Sequence, residues 1–309
     1  MRYLVTGGAG FIGSHIAEAL LAEGHAVRVL DNLSSGHEEN LAGLAVEFVR
    51  GDIRDRAATR AAAEGVDGVF HEAALVSVPE SVEKPVENHE INVTGTLNVL
   101  VAAREAGVRR VLLASSAAVY GENPELPKRE DMLPEPVSPY ALGKIAGEYY
   151  LKVFAGLYGV QTVALRYFNV YGPRQDPRSM YSGVISKFAE VLAAGGTPTV
   201  FGDGGQTRDF VFVKDVVRAN LLAMRSPRAG EGEVFNIGTG RRTSLLELLD
   251  ALGGILGRKA APKLAPPRAG DIRHSVADIS RAGEVLGYRP ETSLADGLRA
   301  LVEHNRKGK

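Results

Sequence analysis

A tyrosine titrates near pH 10 in water and is a poor base at neutrality, but a nearby ammonium favours the phenolate. The stretch Ser138-Pro139-Tyr140-Ala141-Leu142-Gly143-Lys144 sets that pair four residues apart, the spacing that puts two side chains on one face of a helix. Tyr140 could then take the proton of an alcohol while the adjacent carbon gives up a hydride. Ser116 ends the apolar run Val111-Leu112-Leu113-Ala114 and could hydrogen-bond the same oxygen, or simply its own backbone. Tyr-x-x-x-Lys alone carries little weight, because most such pairs are exposed helix neighbours. What precedes the pair decides its meaning.

A hydride needs an acceptor, and the N-terminus offers a place for one. The run Arg2 to Val5 enters a turn with Gly7, Gly10 and Gly13 and continues through Phe11 and Ile12 into a helical pattern over 14–21. Glycines let backbone approach a ligand, and a helix start presents free N–H groups and a positive dipole end to a pyrophosphate. The next apolar run, Ala26 to Leu30, ends at Asp31, at the distance where a carboxylate would accept both hydroxyls of an adenosine ribose. Asp31 would repel a 2′-phosphate, so NAD is expected rather than NADP. An oxidised nicotinamide would add a second positive charge beside Tyr140. The polar residues Asn32, Ser34, Ser35 and Gly36 either wrap the adenosine or form an ordinary connection. Asp52, followed by Ile53, would meet the adenine amino group or cap a helix. Ala73 and Ala74 leave room for the pyrophosphate and nicotinamide ribose, or serve close strand–helix packing.

Strands are expected near 2–5, 26–30, 46–49, 68–74 and 111–114, with helical stretches between them, including a long one over 86–106. This alternation predicts an α/β, Rossmann-type, doubly wound parallel sheet with its ligand at the carboxyl edge. The cofactor domain is placed at 1–168 and a smaller C-terminal substrate-binding lobe at 169–309, with a strand near 234–238 rejoining the sheet. Helices are expected over 245–256 and 294–302. The net charge of −1 argues against a nucleic-acid or membrane-surface partner. With no cysteine, thiolate metal sites and disulfides are excluded, and no metal site is expected. The first strand begins almost at once and no apolar run is long enough to span a bilayer, so a cytoplasmic protein is expected.

Thr6-Gly7-Gly8-Ala9-Gly10-Phe11-Ile12-Gly13, Ser115-Ser116-Ala117-Ala118-Val119-Tyr120-Gly121, Tyr140 with Lys144, and Arg166-Tyr167-Phe168-Asn169-Val170-Tyr171-Gly172-Pro173-Arg174 together resemble the extended short-chain dehydrogenase/reductase family, over essentially the whole chain. The likeness is to its sugar-nucleotide-modifying members. It implies Ser116, Tyr140 and Lys144 as catalytic residues, with Asn92 and Phe168 in contact with the cofactor. It also implies that Asn169, Arg208, Arg268 and Asp271 hold the sugar nucleotide, the arginines at phosphate oxygens. The family's 4,6-dehydratases carry an Asp-Glu pair where this chain has Ala117-Ala118, so dehydration is not expected. Ser275 aligns with a position that is a bulky tyrosine in members restricted to unacetylated hexoses, which implies room for an N-acetyl group. The activity implied is interconversion of UDP-galactose and UDP-glucose through transient oxidation at C4 with bound NAD, extending to UDP-N-acetylhexosamines. The alternatives are an NAD-dependent sugar-nucleotide reductase or decarboxylase, or a non-catalytic NAD-binding regulator. A homodimer through the helices at 86–106 and 140–156 is implied as well.

Overall fold

The computed structural model describes residues 1–176, 183–267 and 272–307. Short apolar runs and amphipathic helices alternate through the first half: β1 (Arg2–Thr6), α1 (Phe11–Ala22), β2 (Ala26–Asp31), β3 (Glu47–Arg50), α2 (Arg56–Ala63), β4 (Gly68–His71), α3 (Val78–Glu83), α4 (Pro85–His89), α5 (Thr96–Glu105), β5 (Arg110–Ser116), α6 (Pro139–Tyr158) and β6 (Gln161–Tyr167). After β6 come β7 (Asn169–Tyr171), α7 (Val184–Ala193), β8 (Thr199–Phe201), β9 (Thr207–Arg208), β10 (Phe210–Phe212), α8 (Val213–Arg225), β11 (Glu231–Ile237), β12 (Thr243–Ser244), α9 (Leu245–Leu256), β13 (Lys263–Ala265), α10 (Ser280–Leu286) and α11 (Leu294–Lys307).

Seven strands form one sheet in the order β11-β6-β5-β4-β1-β2-β3, and every pairing in it is parallel. β4 and β6 are buried almost throughout, as strands covered on both faces are. One face carries Val5, Val29, Phe70, Leu112 and Leu165 against α1 and α8; the other carries Leu4, Leu30, Val69, Leu113 and Ala164 against α5 and α6. The strand order reverses between β1 and β4, which opens a crevice above their carboxyl ends.

The strand expected near 234–238 is β11, and it rejoins the sheet beside β6. Two further returns were not legible: Val216, Val217, Ala219 and Ala223 of α8, and Ala282, Leu286 and Tyr288, pack into the same core as α1. The rest of the second half is built on small pairs, β10 with β7, β12 with β9 and β13 with β8, around a separate core of Phe188, Leu192, Leu248, Leu252, Leu298 and Leu301. The single helix expected over 86–106 is α4 and α5 joined by a π-helical turn, Glu90–Gly95. Such a turn inserts one residue into the helical ladder and often marks a functional site. Among the described residues, no helix is long and apolar enough to cross a membrane.

Candidate active site

The first turn of α1 sits where the glycines bring β1 and β4 together. Gly7 has φ +68°, a conformation side-chain-bearing residues rarely adopt, and a Cβ there would lie 2.7 Å from the Ala73 nitrogen. A Cβ on Gly13 would lie 2.3 Å from the Gly7 carbonyl oxygen. The N-cap of α1 is Gly10, with no side-chain hydrogen bond and no acidic residue in the first turn. The N–H groups around Phe11 and Ile12 are therefore left to an anion. Asp31 stands opposite, its Oδ2 accepting from the Ala9 N–H at 2.9 Å and its Oδ1 from the Leu33 N–H at 2.8 Å. Each carboxylate oxygen keeps a lone pair for a hydroxyl.

The loop after β2 wraps this turn. Gly36 lies so close to Ala9 that a Cβ would meet the Ala9 carbonyl carbon at 2.9 Å, while Ser34 and Ser35 are exposed. Asn32 donates to Asp52 at 2.8 Å. Arg54 grips the same carboxylate through its side chain, and these bonds lower the Asp52 pKa to about 2. The cap of α2 is Asp55, which accepts from the Ala57 and Ala58 N–H groups, so the capping alternative for Asp52 falls away. Ile53 is buried against Gly95 of the π turn. The Ala73 N–H donates to the Thr6 hydroxyl at 3.3 Å, and Ala74 remains partly open beside it. A glycine cradle, an uncapped helix start and a carboxylate across from them fit a dinucleotide.

The chemical group lies one crossover away. Ser138 caps α6, accepting from the Ala141 N–H at 3.2 Å, and Ser81 accepts from the Tyr140 N–H at 3.1 Å. Tyr140 and Lys144 share the buried face of α6, with the ammonium 5.8 Å from the Tyr140 ring centre. Ser116, at the end of β5, accepts from the Ala118 N–H at 3.1 Å, so its hydroxyl is tied to its own backbone, and it also stands near enough to the phenol to draw its pKa down. The sequence suggests that Lys144 lowers the phenol pKa. Here burial raises it, only Ser116 opposes that rise, and the Lys144 ammonium is turned to the Ala114 carbonyl at 2.8 Å. Lys144 itself is brought down to about 8 by burial, against the pull of Glu72 and Glu148. Ala117 and Ala118 follow Ser116 in a short 3₁₀ turn.

The structure shows the protein-side partners of Asn92 and Phe168. Asn92 spends both ends of its amide on Leu75, accepting from its N–H and donating to its carbonyl at 2.9 Å each. It fixes the loop after β4. Phe168 is buried beside Val119, Ile145 and Ala277.

On the lobe side, Asn169 is exposed and its N–H donates to the Asp209 carbonyl at 3.0 Å. Arg208 donates to the Thr207 carbonyl at 2.9 Å, and the Ser275 N–H to that same carbonyl at 3.1 Å. Asn169, Arg208 and Ser275 are thus gathered around residues 207–209. Arg268 and Asp271 lie outside the described residues. Sequence reasoning missed the residue that gathers them: Asp209, fully buried, accepts from the N–H groups of Thr239, Gly240 and Ala277 and from the Thr239 hydroxyl. Its partners are far away in the chain, so no local pattern announces it. Among the described residues, no three His, Asp or Glu side chains gather as a metal site.

Comparison with known proteins settles the kinship. Residues 3–238 match the profile of the NAD dependent epimerase/dehydratase family. The chain belongs to that family. A UDP-glucose 4-epimerase of Mycolicibacterium smegmatis is 48% identical over 98% of both chains. The solved structure of a Thermotoga maritima UDP-glucose 4-epimerase with UDP-glucose superposes with a TM-score of 0.95, at 44% identity and over 100% of this chain and 99% of that one. A Methanobrevibacter ruminantium UDP-N-acetylglucosamine 4-epimerase, in complex with UDP-N-acetylmuramic acid, matches at TM-score 0.95 and 39% identity, over 100% of this chain and 99% of that one. The family is NAD dependent by its description.

Proposed function

We propose that this chain interconverts UDP-galactose and UDP-glucose by transient oxidation at C4, and that it accepts UDP-N-acetylhexosamines as well. The observation that carries the reading is the convergence of Ser116, Tyr140 and Lys144 at the carboxyl edge of an NAD-binding sheet, with alanines at 117 and 118. The absence of carboxylates there disfavours elimination of water. NAD, when bound, would supply the acceptor and donor of hydride for C4.

The chain's own residues do the rest. Ser116 orients the 4-oxygen and Tyr140 takes its proton, returning it when the hydroxyl re-forms. In this reading Lys144, held by the Ala114 carbonyl with its ammonium 5.8 Å from the Tyr140 ring centre, favours the negative charge that develops on the phenol oxygen as the proton leaves. Gly7, Gly10, Phe11, Ile12 and Gly13 cradle the pyrophosphate of NAD, and Asp31 takes the adenosine ribose. Asn32, Ser34, Ser35, Gly36, Asp52 and Ile53 surround its adenosine end, while Ala73, Ala74, Phe168 and the loop pinned by Asn92 line the nicotinamide side. Asn169, Arg208, Arg268 and Asp271 grip the UDP moiety, so that the sugar can turn over without leaving. Ser275 leaves space for an N-acetyl group, and the kinship to a UDP-N-acetylglucosamine 4-epimerase supports that extension.

In this reading residues 1–168 carry the cofactor and 169–309 the sugar nucleotide, with β11 and α8 lending their faces to the first part. We also propose a homodimer. Leu142, Tyr149, Val153 and Leu157 form an exposed apolar stripe on α6, and Val82 and Val86 are exposed nearby in sequence on the α3 and α4 segment; a second copy would cover them.

Purified protein incubated with UDP-galactose and no added cofactor tests the function. UDP-glucose forms without net NADH, and Tyr140→Phe lowers turnover by about a thousandfold. Intact UDP-galactose after incubation with supplied NAD contradicts the hexose assignment, while net NADH or carbon dioxide from a UDP-uronate indicates a reductase or decarboxylase.

A further inference from the structure

Lys144 faces two carboxylates, and they are not equivalent. Glu148, one helical turn on, is already neutralised: Arg166 donates to its two oxygens at 2.9 and 2.7 Å, and Ser115 donates to it at 2.5 Å. Glu72 follows the last residue of β4, and its Oε1 accepts from the Tyr167 hydroxyl at 2.9 Å. Asn220, on α8, donates to that hydroxyl oxygen at 2.8 Å, which leaves the phenolic proton directed at Glu72.

The sheet register puts this bond across the catalytic edge. His71 lies opposite Leu113, so the next pair along would set Glu72 beside Ala114, whose carbonyl holds the Lys144 ammonium. On the other side of β5, Ser116 lies opposite Tyr167. The Glu72–Tyr167 bond therefore straddles the end of β5 between the residue that anchors Lys144 and the serine that meets Tyr140. No arginine or second lysine pairs with Glu72 among the described residues, and the remaining ionisable neighbour in this layer, His71, is held neutral between Thr6 and Thr96.

We propose that Glu72, held by Tyr167, is the counter-charge that keeps Lys144 protonated, making it a positioning residue that acts on Tyr140 through Lys144. The proposal rests on the reading that Lys144 serves Tyr140. The direction of the titrations agrees. Burial pushes the Glu72 carboxyl up to about 7, against the Tyr167 hydrogen bond and the Lys144 charge, and Lys144 stands at about 8 with Glu72 the foremost charge holding it up. The pair is thus ionised together in a narrow range near neutrality, with Glu148, Tyr140 and Tyr167 the other titratable groups around it.

Lysine labelled with ¹³C at Cε, its Lys144 resonance assigned by loss in Lys144→Met, gives the Lys144 midpoint by NMR titration of the protein as purified. Neither sugar nucleotide nor turnover enters, so the result stands apart from the fate of the functional reading. In Glu72→Gln the midpoint falls by about one unit, so at pH above it the protonated fraction drops about tenfold. The alkaline limb of kcat moves down by the same amount, KM changes less than about twofold, and Glu72→Asp restores both. An unmoved midpoint in folded Glu72→Gln overturns the proposal. Should that variant not fold, Tyr167→Phe replaces it: without the phenolic donor Glu72 ionises less readily, and the Lys144 midpoint again falls. An unmoved midpoint there overturns the proposal equally.

Discussion

Tyr140 is harder to ionise in this fold than in water, because its phenol is buried and only Ser116 relieves it. The spacing of Tyr140 and Lys144 was legible as shared helical geometry, but the direction of the shift was not. It depends on desolvation, and on the ammonium turning to the Ala114 carbonyl, neither of which a local pattern encodes. Asp31 and the glycines were legible for the opposite reason: a tight turn and a strand end are local events. Glu72 was invisible because its partner, Tyr167, is 95 residues away. His71 gives a separate prediction at this scale. Burial holds its pKa down to about 3, with the nearby Lys144 charge adding to the effect. The unfolded chain therefore binds a proton below about pH 6.5 that the folded chain refuses. Stability is fully present above that pH and falls by about 1.4 kcal/mol per unit as pH drops from there towards 3. Denaturant melts between pH 7 and 4 check this: His71→Gln should flatten the acid slope, and an unchanged slope would reject the assignment.

At the scale of elements, each piece of the site is placed by a joint between two of them. The start of α6 is fixed by its own cap, Ser138, and by Ser81 of α3. The π turn between α4 and α5 carries Asn92, which fastens the loop after β4. Helical periodicity over 86–106 predicts a helix there but does not reveal the extra residue per turn, since a π turn keeps nearly the same apolar face. The β1–α1 joint is the least tolerant. A methyl at position 13 would lie 2.3 Å from the Gly7 carbonyl oxygen and 2.9 Å from the Gly8 Cα, both backbone atoms that cannot turn aside. Gly13→Ala is predicted to cost about 1–3 kcal/mol through overpacking. It should also weaken NAD binding at least about tenfold, because the turn must open where the pyrophosphate sits. Calorimetric titration with NAD and a thermal melt read both effects, and wild-type affinity in the variant would refute this account of the turn.

In the molecule as a whole, the two parts are interleaved rather than strung in series. Phe11 and Ile12 of the cofactor turn pack against the core of the lobe, while α8 packs against α1 and residues 282–288 join the same core. The proposed boundary near 168 rests on the regular alternation breaking down beyond Gly172. The later returns were not legible, since an amphipathic helix does not state which core it joins. Asp209 shows how the lobe is closed: one buried carboxylate ties β10 to residues 239–240 and 277. The proposed dimer belongs to this scale too. Leu157 is 72% exposed on the apolar stripe of α6, and Leu157→Glu should shift the protein from dimer to monomer in sedimentation velocity while leaving its fold intact. A wild-type monomer would remove the dimer proposal.

The central claim is that C4 of the sugar is oxidised and then reduced within one bound complex, with no exchange of its hydrogen with water. UDP-galactose carrying deuterium at C4, converted in ordinary water and examined by NMR and mass spectrometry, tests this most directly. The account predicts UDP-glucose that keeps its deuterium at C4. Product with hydrogen at C4, the label lost to solvent, would contradict it.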